Sequence, residues 1–344
     1  MPNTEFPLPD WNRAFGFPFF DGVIKQSCSD FKVDEIVSFK FSDDGEHDWL
    51  RIRKTDANTG WVAKVFAKYA GVPVRDVGYS GLKDRRAIAT QWFSVRRPSA
   101  KGTPWERLEV QGIEILEQRR HRTKLRRGAH RGNRFRIVIR AGAIDTLQLY
   151  ERIDRIRVSG VPNYFGSQRF GHNGGNLVLA NDIFNERRLA RDKRSIALSA
   201  ARSFLFNEIL STRVAACSWS HLLNGEPVNL DGSGSHFIPE KIDADLLTRL
   251  SVFDVHPTGA LWGKGVPFGS EEFVALESAV CNTHPTFCTG LVAQGVAMGR
   301  RPLRMNVKNL HLEVSNQALT LRFELGRGQY ATSVLRELMD VIDG

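Results

Sequence analysis

Residues 48–53, D-W-L-R-I-R, alternate apolar and polar side chains, the period of a half-buried β-strand. The period then lengthens. Asn58 and Thr59 offer an N-cap to W-V-A-K-V-F-A-K-Y-A, in which Trp61, Val62, Val65, Phe66 and Tyr69 share one helical face, and Gly71 ends the run. Short strands are expected at 77–79 and 91–95, and further ones at 108–116 and 135–140. Near the other end, 310–314 and 319–325 alternate cleanly. A G-R-G turn follows them, then a helix with Tyr330, Val334, Leu335, Leu338 and Val341 inward. Strands and amphipathic helices thus occupy both ends of the chain, which predicts an α+β sheet domain. The middle has another texture. Residues 160–176, G-V-P-N-Y-F-G-S-Q-R-F-G-H-N-G-G-N, are too irregular for a regular element, and a helical pattern returns at 196–213. A domain boundary near 160 follows from this change.

Length fits that division. The 344 residues suit two domains, or one domain carrying an insertion, and 42% hydrophobic residues with 10% aromatics suffice for a sizeable core. The net charge of +10 and pI near 9.7 point to an anionic partner, a nucleic acid or a membrane surface. No apolar run approaches the roughly 20 residues of a spanning helix, so no membrane partner is expected. The N-terminal M-P-N-T-E-F-P-L-P-D-W lacks the basic-then-apolar layout of a signal peptide, and a cytoplasmic location is expected. Cys28, Cys217, Cys281 and Cys288 form no C-x-x-C pair and read as reduced thiols. The histidines match neither H-E-x-x-H nor a zinc-deaminase pattern, and no Walker loop or dinucleotide fingerprint occurs. An enzyme with this sequence would work without metal or cofactor.

Two stretches carry candidate chemistry. Residues 119–140 hold ten Lys or Arg and no acid, and Phe135, Ile137 and Ile139 alternate there with mostly Arg. Such a run is either a solvated face or a polyanion contact. Because it resolves into a strand and not an amphipathic helix, nucleic acid is favoured over membrane. Lys124, Arg126, Arg127 and Arg131 are the candidate phosphate contacts. The second stretch is Y-S-G-L-K-D-R-R-A-I-A-T-Q-W-F-S-V, residues 79–95. It places one carboxylate, Asp84, among Lys83, Arg85 and Arg86. That is a surface salt-bridge cluster, or a nucleophile kept ionised by its cations beside RNA.

S-G-L-K-D-R-R-A with T-Q-W-F-S-V resembles the signature of the tRNA pseudouridine synthase D family. The likeness recurs in order along the chain: D-F-K-V-D-E-I at 30, K-L-R-R-G and G-N-R-F near 130, and G-V-P-N-Y-F-G-S-Q-R-F-G from 160. It continues through A-R-S-F-L-F-N-E at 201 and G-Q-Y-A-T-S-V-L-R-E-L at 328. The resemblance implies a pseudouridine synthase catalytic domain, with a mostly antiparallel central sheet flanked by helices, at 1–159 and 305–344. It also implies a family-specific α/β insertion at 160–304. The implied reaction isomerises a uridine of tRNA, uridine 13 of the D-arm, with no cofactor, no metal and no protein partner. By position, Asp84 matches the catalytic aspartate, and Phe31, Asn133 and Tyr330 match substrate-contacting residues. Many relatives carry Phe where this chain has Tyr330. Lys83, Arg85 and Phe135 are neighbours in the same motifs and are grouped with the substrate contacts.

The chemistry explains these residue types. The reaction breaks C1′–N1, turns the base and rejoins it through C5, so the nucleotide must leave its stack, at a cost of roughly a few kcal/mol. Rings such as Phe31 and Tyr330 return about 1–3 kcal/mol per stacked base, unless they merely pack the core. The Asn133 amide offers both a donor and an acceptor to the uracil edge. Competing functions fit less well: a pure RNA binder gains nothing from a carboxylate aimed at RNA, a nuclease gathers carboxylates around Mg²⁺, and a deaminase needs zinc ligands.

Overall fold

The computed structural model describes residues 5–97, 103–142, 144–315 and 318–343. Its packing forms two compact units: Phe19–Thr146 with Lys308–Gly328 and Met339–Gly344, and Met1–Pro18 with Leu147–Val307 and Gln329–Leu338.

The first unit is built on a ten-stranded sheet. Its strands are β1 (Asp21–Ile24), β2 (Phe31–Ile36), β3 (His47–Thr55), β4 (Val77–Tyr79), β5 (Ile88–Arg96), β6 (Ile113–His121) and β7 (Gly132–Arg140), joined by Lys308–Ser315, Ala318–Gly326 and Asp340–Asp343. The main order is Lys308–Ser315, Ala318–Gly326, β7, β2, β5, β3, β6. All pairs are antiparallel except β2 with β5 and β1 with Asp340–Asp343. The architecture is the α+β sheet domain that the alternating segments predict, and the sheet is mostly antiparallel, as the family resemblance implies. The strand expected at 108–116 begins later, at Ile113, after a short 3-10 turn at Trp105–Arg107.

Alternation gives the sheet two apolar faces. Leu50, Ile52 and Phe93 pack under helix α1 (Thr59–Ala70), while Trp49 and Trp92 point the other way to meet Leu125, Phe39 and Phe41. Helix α1 starts after Asn58 and ends at Gly71, whose φ of 68° is left-handed and suits a residue with no Cβ. Its buried face is not quite the expected one. Val62, Ala63, Phe66, Ala67 and Ala70 are buried while Trp61 is 43% exposed, because the small alanines let the helix approach the sheet along their own stripe. Gly132 opens β7 where a Cβ would lie 2.2 Å from the Leu325 carbonyl oxygen, so only glycine fits that close approach.

The second unit centres on the helix Arg191–Ala215, against which Gly175–Phe184, Glu271–Cys281 and Pro285–Ala293 pack. A four-stranded sheet runs His236–Phe237, Val228–Leu230, Val255–Leu261, Gly299–Pro302. Arg213 sits inside this unit against Glu226 at 3.2 Å, with side chains 2% and 0% exposed. The irregular 160–176 segment contains two 3-10 turns, Ser167–Phe170 and His172–Gly174. The expected C-terminal helix is short, Ala331–Leu335. Val341 lies beyond it on the strand Asp340–Asp343, paired with Gly22, because pairing to β1 satisfies backbone groups that a longer helix would have used internally.

Candidate active site

Asp84 lies in the loop between β4 and β5, and its backbone is pinned on all sides. The Ser80 carbonyl accepts from Gly128 N at 2.7 Å. The Gly81 carbonyl accepts from Gln91 Nε2 at 3.3 Å, and Lys83 N donates to Thr59 Oγ1 at 3.0 Å. Thr59 in turn donates to Gln91 Oε1 at 3.1 Å, which closes the ring of contacts.

Two lysines distant in sequence hold Asp84 itself. Lys25, just after β1, places Nζ 2.9 Å from Asp84 Oδ2, and their side chains are 12% and 38% exposed. Its φ of 55° is left-handed, a conformation that costs a lysine roughly 1–2 kcal/mol. The same ammonium lies 4.7 Å from the Phe31 ring centroid. Lys54 of β3 is fully buried and donates from Nζ to the Asp84 carbonyl oxygen at 2.6 Å. Burial pulls its pKa down to about 8, against the attraction of Asp84, while Lys83 pushes the same way as burial.

The cations adjacent to Asp84 in sequence face other partners. Lys83 reaches Asn133 Oδ1 at 2.7 Å and Glu35 Oε1 at 3.1 Å. Arg85 pairs with Asp56 at 3.2 Å on the exposed side, and Arg86 donates to the Gln26 carbonyl at 3.3 Å. Among the described residues, the cation paired with the Asp84 carboxylate is Lys25, from outside the run in which Asp84 lies. Glu35 is the hub behind Lys83, accepting from Ser80 Oγ at 2.6 Å and from Trp92 N at 3.1 Å. Strand register explains the grouping, because Glu35 of β2 is directly opposite Asn133 of β7. Nearby His130 is buried, and burial lowers its pKa, as does the charge of Lys83.

Phe31 and Phe135 share the sheet face that carries Glu35 and Asn133. They are 5% and 7% exposed, with ring centroids 6.1 Å apart, and Phe135 stacks on Phe323 at 5.3 Å. Tyr330 belongs to the other compact unit, where its hydroxyl accepts from Arg169 Nη2 at 2.9 Å.

Four of the ten cations of the basic stretch are ion-paired among the described residues. Arg119 pairs with Glu117 and Asp43, Arg122 with Asp44, Arg134 with Glu324, and Arg140 with Asp30. No ion pair is made by Lys124, Arg126, Arg127 or Arg131 among the described residues. Arg127 stacks 4.0 Å over the Tyr79 ring and Lys124 donates to the Arg75 carbonyl. Among the described residues no group of three or more His, Cys, Asp or Glu is placed to hold a metal ion, and no helix is long and apolar enough to cross a membrane.

Lys25, Lys54 and Glu35 were not among the residues singled out in the sequence. Two of them left a signal: Lys54 is in phase with Leu50 and Ile52, and Glu35 with Phe31 and Val33. A charged residue on the apolar phase of a strand is either paired or functional. Lys25 left none.

The site thus consists of one lysine-paired aspartate on a ten-stranded, mostly antiparallel sheet, beside a buried Glu–Lys–Asn chain. The family model for tRNA pseudouridine synthase D (TruD) matches residues 14–185 and 184–338. The chain is 46% identical over 336 residues to a tRNA pseudouridine synthase D of Methylococcus capsulatus, covering 96% of this chain and 94% of that one. It is 43% identical to the protein of the same name in Chromohalobacter salexigens, over 98% and 99% of the two chains. A crystal structure of a putative tRNA pseudouridine synthase D from Methanosarcina mazei superposes with a TM-score of 0.72 over 98% of each chain, and at 19% identity it speaks for the fold. The chain belongs to the tRNA pseudouridine synthase D family.

Proposed function

We propose that this chain isomerises uridine 13 in the D-arm of tRNA to pseudouridine, with Asp84 as the catalytic carboxylate and without cofactor or metal. The observation that carries the reading is the Asp84–Lys25 pair. It holds a half-exposed carboxylate at a fixed position on a rigid loop, where an ion pair on an ordinary surface would be worth little. The choice of uridine 13 rests on the family likeness.

During the reaction the C1′–N1 bond breaks, the uracil turns, C1′ bonds to C5, the C5 proton leaves and N1 gains one. Every atom of the uridine is kept and no electrons enter or leave, so the balance calls for no external group. Asp84 acts as nucleophile at C1′ or as base at C2′, and either role needs its anionic oxygen. Lys25 steadies that anion against tRNA phosphates. Phe31, Phe135 and Tyr330 offer rings, Asn133 meets the base, and Lys83 and Arg85 support the loop. Lys124, Arg126, Arg127 and Arg131 contact the RNA backbone, supported by their lack of acidic partners among the described residues. The catalytic domain is taken as 1–159 with 305–344 and the insertion as 160–304. Every strand of the ten-stranded sheet falls between 21 and 140 or between 308 and 343. Cytoplasm, where tRNA is processed, is the compartment this activity requires.

Asp84→Asn tests the proposal, since it keeps shape and removes charge. Mass-shift labelling of pseudouridine should show no product from the purified variant, while its tRNA affinity and melting temperature stay near wild type. Appreciable conversion by Asp84→Asn would remove the catalytic assignment; loss of binding together with activity would make Asp84 structural.

A further inference from the structure

Asn133 can use only part of its amide. Its Oδ1 accepts from Lys83 Nζ at 2.7 Å, and that ammonium is paired with Glu35 at 3.1 Å, their side chains 5% and 1% exposed. An ammonium has three donors and no acceptor, so the amide oxygen is the atom that must face Lys83. The Asn133 NH₂ group therefore points away from Lys83, and among the described residues nothing accepts from it. Glu35 cannot swing aside to release Lys83, because Ser80 Oγ and Trp92 N hold both of its oxygens. We propose that Glu35 and Lys83 are positioning residues that lock the Asn133 amide with its donor toward the substrate base, so that it reads a uracil carbonyl and not N3–H. The inference rests on the pseudouridine synthase reading of this site.

A donor at this place has a particular use. When uracil turns about its N3–C6 axis, N1 exchanges with C5 and O2 exchanges with O4. A donor resting on one carbonyl before the turn meets the other carbonyl afterwards, and Asn133 need not move. The contact is equal in the substrate and product orientations, so it orients the base without favouring either. Cytosine has a carbonyl on one side and an amino group on the other, so one orientation would set donor against donor. Leaving such groups unpaired gives strong discrimination.

The test uses tRNA transcripts carrying uridine, 2-thiouridine or 4-thiouridine at the modified position, because sulfur is a weak acceptor. Wild-type protein, Asn133→Ala and the double variant Lys83→Met/Glu35→Gln are compared. The double variant leaves no lone buried charge, and the amide it introduces in place of the Glu35 carboxylate can accept from Trp92 N and donate to Ser80 Oγ. In the wild type, at least one thio substrate should lose about fivefold to tenfold in kcat/KM, the worth of one hydrogen bond. The loss should vanish in Asn133→Ala, and it should shrink in the double variant together with a similar fall on uridine, at unchanged melting temperature. Wild-type indifference to both thio substrates, or a thio effect that persists in Asn133→Ala, overturns the donor assignment. A full thio effect in the double variant overturns the positioning role. A wild-type protein that makes no pseudouridine from the uridine transcript is a separate outcome and sinks the proposed function, with this inference following it.

Discussion

Lys54 offers a sharp test of the electrostatics beneath the loop. It is fully buried, and burial brings its pKa from 10.5 to about 8. In the unfolded chain the group regains its ordinary value, so between about pH 8 and pH 10.5 the unfolded state binds more protons than the folded one. Stability contributed by this group therefore rises with pH across that window and is flat below it. The full difference is about 2.5 pKa units, or about 3 kcal/mol, and roughly 2 kcal/mol of it falls between pH 7 and pH 9.5. Other groups titrate in the same range, so the quantity to measure is wild type minus Lys54→Met, by urea denaturation followed through tryptophan fluorescence at several pH values. That difference should climb by about 2 kcal/mol over the interval. A flat difference would mean that Lys54 stays charged in the folded protein throughout. The site would then be wetter than its burial indicates.

Lys25→Met removes the charge-assisted bond to Asp84, worth about 1.5–3 kcal/mol, and should lower single-turnover pseudouridine formation by roughly 10- to 100-fold with tRNA affinity unchanged; equal losses in rate and affinity would place Lys25 in RNA binding instead. Arg126→Ala with Arg127→Ala should weaken tRNA binding and flatten its salt dependence by roughly 0.7–0.9 per lost phosphate contact, and an unchanged slope would mark these residues as a solvated face. Arg213→Met leaves the buried Glu226 without its cation and should cost about 3–5 kcal/mol in denaturant melts. Arg213→Lys should recover only part of this, because the guanidinium also bonds Ser218 and His221.

Much of the sheet was legible because β3, β7 and 318–326 carry a period of two, whereas β5 is buried along nearly all of its length and shows no such alternation. What the period does not contain is register. That Glu35 faces Asn133, or that Lys54 reaches under Asp84, depends on which strands become neighbours, and the crossover that sets β2 beside β5 has no local signature. The charge run of 119–140 likewise does not show which of its cations are paired: the acids that meet Arg119, Arg122, Arg134 and Arg140 include Asp30, Asp43, Asp44 and Glu324, all far away in sequence. Asp84 stood out through its motif, while the residue that pairs with it, Lys25, simply follows two apolar residues and has a left-handed backbone angle that no sequence pattern announces. At the C-terminus, Val341 obeys helical spacing by coincidence, and pairing with β1 decides its conformation.

With Asp84 as the proposed catalytic carboxylate, the ring of hydrogen bonds around its loop shifts the burden of motion onto the RNA. With the Ser80 and Gly81 carbonyls, the Lys83 amide and the Asp84 carbonyl all engaged, the loop has little slack to follow an incoming nucleotide. The nucleotide has to arrive already extruded or be extruded by contacts elsewhere, at the roughly few kcal/mol that unstacking demands. Such an enzyme sorts its targets by how readily their backbone yields. Two RNAs with the same bases around a uridine, one in a stiff helix and one in a loosely stacked arm, would then be modified at different rates although every direct contact is identical.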